Sequence, residues 1–326
     1  MRSLVTGATG FIGSHLVEFL LQKGMEVRCL LRHPDQLGWL KGLPIQIVKG
    51  DCLEKSSLIA AVQGMDYVFH LAGVTRAVHA ETYFSVNAQG TDHLVRACLQ
   101  HNPDLKRFVL LSSQAAAGPG LTNEKKKETD PCGPVSPYGE SKRMAEEFCL
   151  KYCREIPLTI LRPPAVYGPR DRDIYAQFKL IAKRIKPVLK NQVQQISFCY
   201  VQDVIQALWL AAQTPLQSGE IFFLSDGHDY RIADIGDAFE KALNLKALRL
   251  PVPKTLVSAV AFFSGFISKF SGKPALIHPG RAKEMAQKNW LCDMTKAQTM
   301  LGFNPEFNLR QGAALTAAWY KKQNWL

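Results

Sequence analysis

A glycine-rich turn near the start of the chain restricts its possible folds more than any other feature. Residues 6–13 read Thr-Gly-Ala-Thr-Gly-Phe-Ile-Gly and separate a short aliphatic run, 3–6, from an amphipathic stretch, 12–23. In such a turn the first glycine permits a sharp bend, the second lets backbone approach a phosphate, and the third permits close packing of helix on strand. Free N–H groups at the helix N-terminus attract anions. The turn therefore predicts a βαβ unit that binds the pyrophosphate of a dinucleotide.

The rest of the first half alternates between two periodicities. Buried strands are predicted at residues 3–6, 26–31, 45–48, 66–71, 107–111 and 158–161, and helices at 12–23, 56–63, 84–100 and 138–154. Buried strands that alternate with helices indicate a parallel sheet covered on both faces. The predicted fold class is thus α/β, a Rossmann-type doubly wound parallel sheet.

This alternation is lost after about residue 168, which predicts a second structural unit. Residues 1–170 form the predicted NAD(P)-binding domain, to which the chain returns at about 198–226. Residues 171–197 and 227–326 form a smaller, mainly helical C-terminal lobe that binds the substrate. The helical patterns after residue 227 carry this prediction.

The residue that follows the second strand distinguishes between dinucleotides. An acid there binds the ribose hydroxyl of NAD, whereas an arginine accommodates the 2′-phosphate of NADP. This chain has Arg32 nineteen residues after Gly13, with Arg28 inside the strand. NADP is therefore predicted in preference to NAD. Asp51, after the third strand, is expected at the adenine edge.

A tyrosine and a lysine share one face of a predicted helix. Tyr138 and Lys142 are four residues apart, and Ser113 follows a predicted strand. A cation about 4 Å from a phenol near the surface contributes roughly 4 kcal/mol, which predicts a tyrosine pKa lowered by up to about 3 units. Such a phenol is a suitable acid–base group for interconverting a ketone and an alcohol.

These motifs together resemble a known family. The further runs that match it are Gly50-Asp51, His70-Leu-Ala-Gly73, Asn87-Ala-Gln-Gly-Thr91, Arg162-Pro-Pro-Ala-Val-Tyr-Gly-Pro169 and Tyr200-Val-Gln-Asp203. Almost end to end, the chain resembles an extended short-chain dehydrogenase/reductase of the NAD(P)-dependent epimerase/dehydratase superfamily. The resemblance implies that Tyr138 transfers a proton, Lys142 lowers its pKa and binds the nicotinamide ribose, and Ser113 orients the carbonyl.

The resemblance also implies a set of cofactor contacts. They are Gly7, Thr9, Gly10, Phe11, Ile12, Gly13, Arg32, Asp51, Cys52, Leu71, Ala72, Gly73, Asn87, Tyr138, Lys142, Pro163 and Val166. It further implies a homodimer formed through the helices at 84–100 and 138–154. The cysteines and histidines show no metal-ligand spacing, so no metal site is expected.

The substrate class is the least constrained property. Nucleotide-sugar members of the superfamily usually carry an asparagine where this chain has Ala165, and an arginine where it reads Gln195-Ile-Ser-Phe. The tail, including Trp290-Leu-Cys-Asp293, instead resembles the dihydroflavonol reductase and 3β-hydroxysteroid dehydrogenase branch. We therefore expect an oxidoreductase that acts on a small hydrophobic ketone or alcohol (steroid-, flavonoid- or fatty keto-like). The alternatives are a nucleotide-sugar epimerase or dehydratase with bound NAD, and a non-catalytic NADP-sensing or structural protein.

The net charge of +12 makes anionic partners plausible without identifying one. Residues 174–202 contain no acid and include Lys179, Lys183, Arg184, Lys186 and Lys190. This segment is interpreted as a solvated face, with anionic lipid or an anionic substrate carrier as alternatives; nucleic acid is not expected because no binding motif accompanies the charge.

An uncharged apolar run at 256–267 is shorter than the roughly 20 residues that span a bilayer. A buried helix, a flap over a lipid-like substrate and an interfacial membrane contact are its three interpretations. Scattered cysteines and the absence of an export signal predict a cytoplasmic protein, with peripheral membrane association as an option.

Overall fold

A computed structural model describes residues 1–121, 124–189, 194–275 and 278–326; Lys190, assigned above to the basic segment, lies outside them. The strands are β1 (Arg2–Thr6), β2 (Glu26–Leu31), β3 (Gln46–Lys49), β4 (Tyr67–His70), β5 (Arg107–Leu111), β6 (Leu158–Arg162), β7 (Ala165–Tyr167), β8 (Ile185–Leu189), β9 (Gln195–Ile196), β10 (Phe198–Tyr200), β11 (Glu220–Phe223), β12 (Tyr230–Arg231), β13 (Leu248–Val252) and β14 (Asn289–Trp290). The helices are α1 (Phe11–Gln22), α2 (Lys55–Val62), α3 (Ala80–Tyr83), α4 (Gly90–His101), α5 (Gln114–Ala117), α6 (Pro137–Lys151), α7 (Tyr175–Ala182), α8 (Val201–Gln213), α9 (Ile232–Leu243), α10 (Lys254–Ser271), α11 (Pro279–Ala286) and α12 (Leu309–Lys322). A π-helical segment, Phe84–Gln89, joins α3 to α4.

The predicted doubly wound sheet is confirmed. Within the described part of the chain, seven strands pair in the order β11-β6-β5-β4-β1-β2-β3, and every pair is parallel. The strand order reverses between β1 and β4, so the loops after these two strands leave the sheet in opposite directions. In such sheets a ligand binds in the crevice at this switch point. The glycine turn follows β1 and therefore lies at that crevice.

The pleat of the strands divides the core between the two faces of the sheet. Leu4 and Val68 pack with helices α2, α4 and α6, whereas their neighbours Val5 and Phe69 pack with α1, α8 and α12. Successive side chains of a strand point to opposite faces, so strands buried on both faces must be continuously apolar. This explains why the sequence shows apolar runs here rather than alternation.

The C-terminal part of the chain returns to this sheet before forming most of the second lobe. Strand β11 pairs in parallel with β6 at the edge of the sheet. The later elements include helices α9 to α11 and the short parallel pair of β8 with β13. The domain boundaries given above stay a prediction. Among the residues that the structure describes, none of the helices combines the length and apolarity needed to cross a membrane.

The basic segment at 174–202 is only in part a solvated face. Lys179 and Lys183 are exposed as predicted, but Lys186 is buried. The ammonium of Lys186 forms ion pairs with Asp237, at 2.6 Å, and with Glu240, both on α9. These carboxylates lie some fifty residues further along the chain, so the local sequence could not show that Lys186 has partners.

Candidate active site

The glycine turn is packed too tightly to accept side chains. Gly7 has φ +71°, and a Cβ on it would lie 2.7 Å from the backbone of Leu71 and Ala72. A Cβ on Gly13 would lie 2.2 Å from the carbonyl oxygen of Gly7. Gly10 is the N-cap of α1, no described side chain caps this helix end, and the residue is exposed. Backbone N–H groups are thus open to an anion, which fits the phosphates of a dinucleotide.

A buried hydrogen-bond chain supports this turn from below. The hydroxyl of Thr6 lies 2.6 Å from Nδ1 of His70, and Nε2 of His70 lies 2.8 Å from the hydroxyl of Thr91. Thr91 in turn donates to the carbonyl of Asn87 at 2.6 Å. Burial lowers the pKa of His70 to about 3, so the ring is neutral. Sequence analysis named His70 and Thr91 only as parts of matching motifs and did not predict that they support the glycine turn.

The predicted contacts for the adenosine end converge beyond β2 and β3. Arg32 is exposed and Asp51 half-buried, and both charges act on the thiol of Cys52, whose pKa burial raises to about 12. Arg28 serves a structural purpose instead. Its guanidinium donates to the carbonyls of residues 60, 61 and 63 at the end of α2, at 2.9–3.0 Å. Arg32 is thus the more accessible of the two for a 2′-phosphate.

Asn87 connects the loop after β4 to helix α6. Its Oδ1 accepts from the N–H of Val74 at 2.8 Å, and its Nδ2 donates to the hydroxyl of Ser141 at 2.9 Å. A Cβ on Gly73 would lie 3.0 Å from this Oδ1 and 3.5 Å from Nζ of Lys142. The predicted contact residues of this loop, of the π-helical segment and of α6 therefore meet at one point.

Ser113 and Tyr138 also meet, at the carboxyl end of β5. Ser113 caps α5, where its Oγ accepts from the N–H of Ala115 at 3.1 Å. Tyr138 lies in the first turn of α6, directly after Pro137. Burial raises the pKa of Tyr138 to about 12, while a hydrogen bond with Ser113 acts in the opposite direction. The phenol is therefore neutral at pH 7. It is hydrogen-bonded to Ser113, an arrangement suited to donating a proton to a substrate oxygen.

The predicted acidification of Tyr138 by Lys142 is wrong for this arrangement. The ammonium of Lys142 donates to the carbonyl of Leu111 at 2.9 Å, and burial lowers the pKa of Lys142 to about 8. Ser113 and Arg281 lower the pKa of Tyr138, but burial outweighs them. The i,i+4 spacing places both residues on one face of α6, yet the long lysine side chain reaches the end of β5 instead of the phenol.

A buried ion pair fixes helix α6 on the sheet. Glu146, one turn after Lys142, accepts from Nε and Nη2 of Arg162 at 2.9 and 2.6 Å, and from the hydroxyl of Ser112 at 2.5 Å. Arg162 ends β6 and Ser112 follows β5. Sequence analysis did not select Glu146, although its spacing of four from Lys142 marks it as a charge on the same face.

The remaining predicted contacts border this region. The carbonyl of Pro163 accepts from the N–H of Gln114 at 2.8 Å, and Val166 is half-buried in β7. Thr9 is exposed at the turn, whereas Phe11 and Ile12 are half-buried and pack against the core below α1. The structure brings Gly73, Asn87 and Lys142 together, and separately Ser113 and Tyr138. The contacts of the predicted residues with a cofactor stay a prediction.

Charged residues of the second lobe approach the opposite side of Tyr138. The hydroxyl of Ser136 donates to Glu284 of α11 at 2.6 Å, and the charges of Glu284 and Arg281 both act on the Tyr138 phenol. Burial and the charge of Arg281 lower the pKa of Arg76, and the guanidinium of Arg76 pairs with Asp173. Arg281, which pairs with Glu284, is thus a cation that acts on Tyr138, an effect that sequence analysis missed because 143 residues separate the two.

Comparisons with known proteins agree with this geometry. A model of the NAD dependent epimerase/dehydratase family matches residues 3–232. A protein named ceramide reductase from Caulobacter vibrioides is 29% identical, over 99% of this chain and 95% of the relative. YtcB from Bacillus subtilis, named an uncharacterized UDP-glucose epimerase, is also 29% identical, over 96% and 95%. The solved structure of MoeE5 in complex with UDP-glucuronic acid and NAD is 25% identical, with a TM-score of 0.80 over 99% and 100% of the two chains.

These names bear on the substrate. A further relative and a further solved structure are also named for nucleotide sugars. Taken together, the comparisons support the nucleotide-sugar alternative better than the expected reductase of hydrophobic ketones. The neighbouring complexes contain NAD, so the predicted preference for NADP is not shown by them.

Proposed function

Since the chain belongs to the NAD-dependent epimerase/dehydratase family, we propose that it transfers a hydride at a carbinol carbon and uses Tyr138 as the acid–base group. The match confirms the resemblance that the sequence motifs indicate, and makes the chain an NAD-dependent enzyme of the extended short-chain type. One observation carries the proposal: Ser113, which follows β5, is hydrogen-bonded to Tyr138 in the first turn of α6, the helix that also carries Lys142.

The dinucleotide supplies the hydride acceptor or donor when it is bound. Its phosphates would lie at Gly10 and the N-terminus of α1, and its nicotinamide ribose at Lys142. Arg32 supports a preference for NADP, because it is exposed after β2 and no acid occupies that position. NAD remains the cofactor expected from the family.

The chain's own residues move the proton. Oxidation of a carbinol removes a hydride from carbon and a proton from oxygen; the phenolate form of Tyr138 accepts this proton while Ser113 holds the oxygen, so this direction requires that Tyr138 first lose its own proton. In reduction the neutral phenol donates the proton to the carbonyl oxygen as the hydride arrives at carbon. A general acid in this position contributes about 10²- to 10⁴-fold to the rate.

A diphosphate-linked sugar is the first candidate substrate. The names of the relatives and solved structures support it, and the guanidinium of Arg281, whose charge acts on Tyr138, is a candidate ligand for a diphosphate in exchange for its present partner Glu284. Guanidinium groups bind phosphate oxygens through paired hydrogen bonds. In epimerisation the carbinol is oxidised and then reduced on its opposite face, so the cofactor is regenerated and no net oxidation occurs.

Reduction of a hydrophobic ketone is the second candidate. Ala165 presents no amide and Gln195 no cation toward a sugar nucleotide, and the relative named ceramide reductase matches nearly the full length of the chain. This reaction would consume one NADPH for each alcohol formed.

Two assays on one preparation separate the candidates. Epimerisation predicts cofactor that survives purification and interconversion of UDP-glucose or UDP-glucuronic acid without NADH or NADPH consumption. It also predicts that Arg281→Ala raises KM for the sugar at least tenfold, while the control Lys283→Ala on the same helix does not. Ketone reduction predicts NADPH oxidation with long-chain β-keto, steroid or flavonoid ketones. If Tyr138→Phe changes neither activity, the chain is not an enzyme of this kind.

A further inference from the structure

Helix α10 presents its large apolar residues to the outside. Its inward positions carry small side chains: Ala261 and Ser268 are buried, and a Cβ on Gly265 would lie 3.2 Å from Pro279 of α11. Seven large apolar residues of the same helix are between 44% and 79% exposed, namely Leu256, Val260, Phe262, Phe263, Phe266, Ile267 and Phe270. In a helix that packs into a core, this distribution is reversed. The interpretation of 256–267 as a buried helix is therefore wrong for this face.

The exposed surface of α10 is large for a protein of this kind. Each phenylalanine carries 150–250 Å² of surface, so the four on this face expose roughly 500 Å² even before the aliphatic residues are added. The largest apolar patch on a typical monomer is about 300–600 Å², and patches of this size are often functional. We call the outward residues of α10 named above the α10 face.

The sequence around the α10 face carries charge of one sign. Residues 244–283 contain seven lysines and arginines and no aspartate or glutamate. Lys273 is exposed directly after the helix, and Arg281 and Lys283 are exposed on α11. Two of the seven are paired, Arg249 with Asp237 and Arg281 with Glu284 of α11. An apolar helix face in a segment with this excess of cations complements a surface that is apolar inside and anionic at its headgroups.

We propose that the α10 face binds an anionic lipid bilayer, with the helix lying in the plane of the headgroup–acyl boundary. The phenylalanine rings would enter the acyl region, and the surrounding lysines and arginines would contact the headgroups. A short helix that lies on the bilayer does not need the length of a membrane-spanning one. The proposal goes beyond the reaction proposed above and does not depend on it.

This placement would bring the catalytic site close to the membrane. Helix α10 packs on α11, where Gly265 meets Pro279, and α11 in turn contacts the start of α6 through Glu284 and Ser136. Helix α11 therefore contacts both α10 and the first turn of α6, which carries Tyr138. A substrate with a lipid chain could thus reach the tyrosine from the bilayer.

The test measures vesicle binding by the full chain. Flotation with phosphatidylcholine vesicles that contain 30% phosphatidylglycerol should recover the wild type, and pure phosphatidylcholine should bind it at least tenfold more weakly. The double variant Phe263→Ser/Phe270→Ser should lose at least tenfold in affinity for the anionic vesicles. Leu315→Ser, which removes an exposed leucine from α12, is the matched control and should bind like wild type. Because the substituted positions are exposed, these variants should fold like the wild type, and circular dichroism checks that they do.

Three outcomes would overturn the proposal. The first is no binding to either vesicle, or equal binding to both. The second is unchanged binding by the double variant, which would place the lipid contact elsewhere. The third is a wild-type protein that binds no lipid and sediments as a dimer, together with a double variant that sediments as a monomer. A second copy of the chain would then cover the α10 face. Each readout is independent of turnover, so failure here leaves the proposed reaction untouched.

Discussion

Replacing Lys142 by methionine should make the protein more stable while it abolishes turnover. Burial lowers the pKa of this lysine from 10.5 to about 8, and its side chain is almost fully buried. A shift of this size corresponds to about 3 kcal/mol of unfavourable desolvation in the folded state at pH 7. Methionine has a similar length and no charge to bury, but it leaves the carbonyl of Leu111 without its donor, which costs about 1–2 kcal/mol. A net stabilisation of about 1–2 kcal/mol follows.

The pH dependence of this effect has a definite sign. Because the folded pKa lies below the unfolded one, wild-type stability increases as pH rises from about 8 toward 10.5, whereas the Lys142→Met variant lacks this dependence. In urea denaturation, the free energy of unfolding of the variant should exceed that of the wild type most at pH 7. The difference should be about 2 kcal/mol smaller at pH 9.5. Lys151→Met, at an exposed position of the same helix, should change stability by less than about 0.5 kcal/mol. A destabilised Lys142→Met protein, or one with the wild-type pH profile, would refute the view that this ammonium is held at the expense of stability.

Two further substitutions test the cofactor crevice. Gly13→Ala should lower dinucleotide affinity at least tenfold and destabilise the fold by roughly 1–3 kcal/mol, since its Cβ would lie 2.2 Å from the carbonyl of Gly7. Fluorescence titration measures the affinity, and urea denaturation measures the stability. The control Gly133→Ala has open space around its Cβ and should leave both properties near wild type. Arg32→Ser should weaken NADPH binding at least tenfold and NADH binding less than twofold in fluorescence titration, and equal losses for both would remove the argument for NADP.

The sequence was sufficient for the sheet. Apolar runs of strand length identified the central strands to within one or two residues, and the glycine turn located the switch point between β1 and β4. The resemblance to the family linked Ser113 with Tyr138, and the two side chains are hydrogen-bonded to each other.

The errors concern groups whose environment is built from distant segments. Lys186 looked solvated because its partners on α9 follow about fifty residues later, and Lys142 looked like a neighbour of the phenol because spacing gives the helix face and not the direction of a long side chain. The effect of the Arg281 charge on Tyr138 needed the folded chain. The apolar run at 256–267 kept three interpretations because the sequence does not show which side of a helix faces the protein.

The central claim is that Tyr138 transfers the proton during hydride transfer, and a comparison of wild type with Tyr138→Phe tests it most directly. Dinucleotide affinity, measured by fluorescence titration, and single-turnover hydride transfer, measured at 340 nm or by sugar oxidation, should be recorded on the same samples. The account predicts unchanged affinity and a hydride-transfer rate lower by about 10²- to 10⁴-fold. A phenylalanine variant that binds the dinucleotide and transfers hydride at the wild-type rate would contradict it.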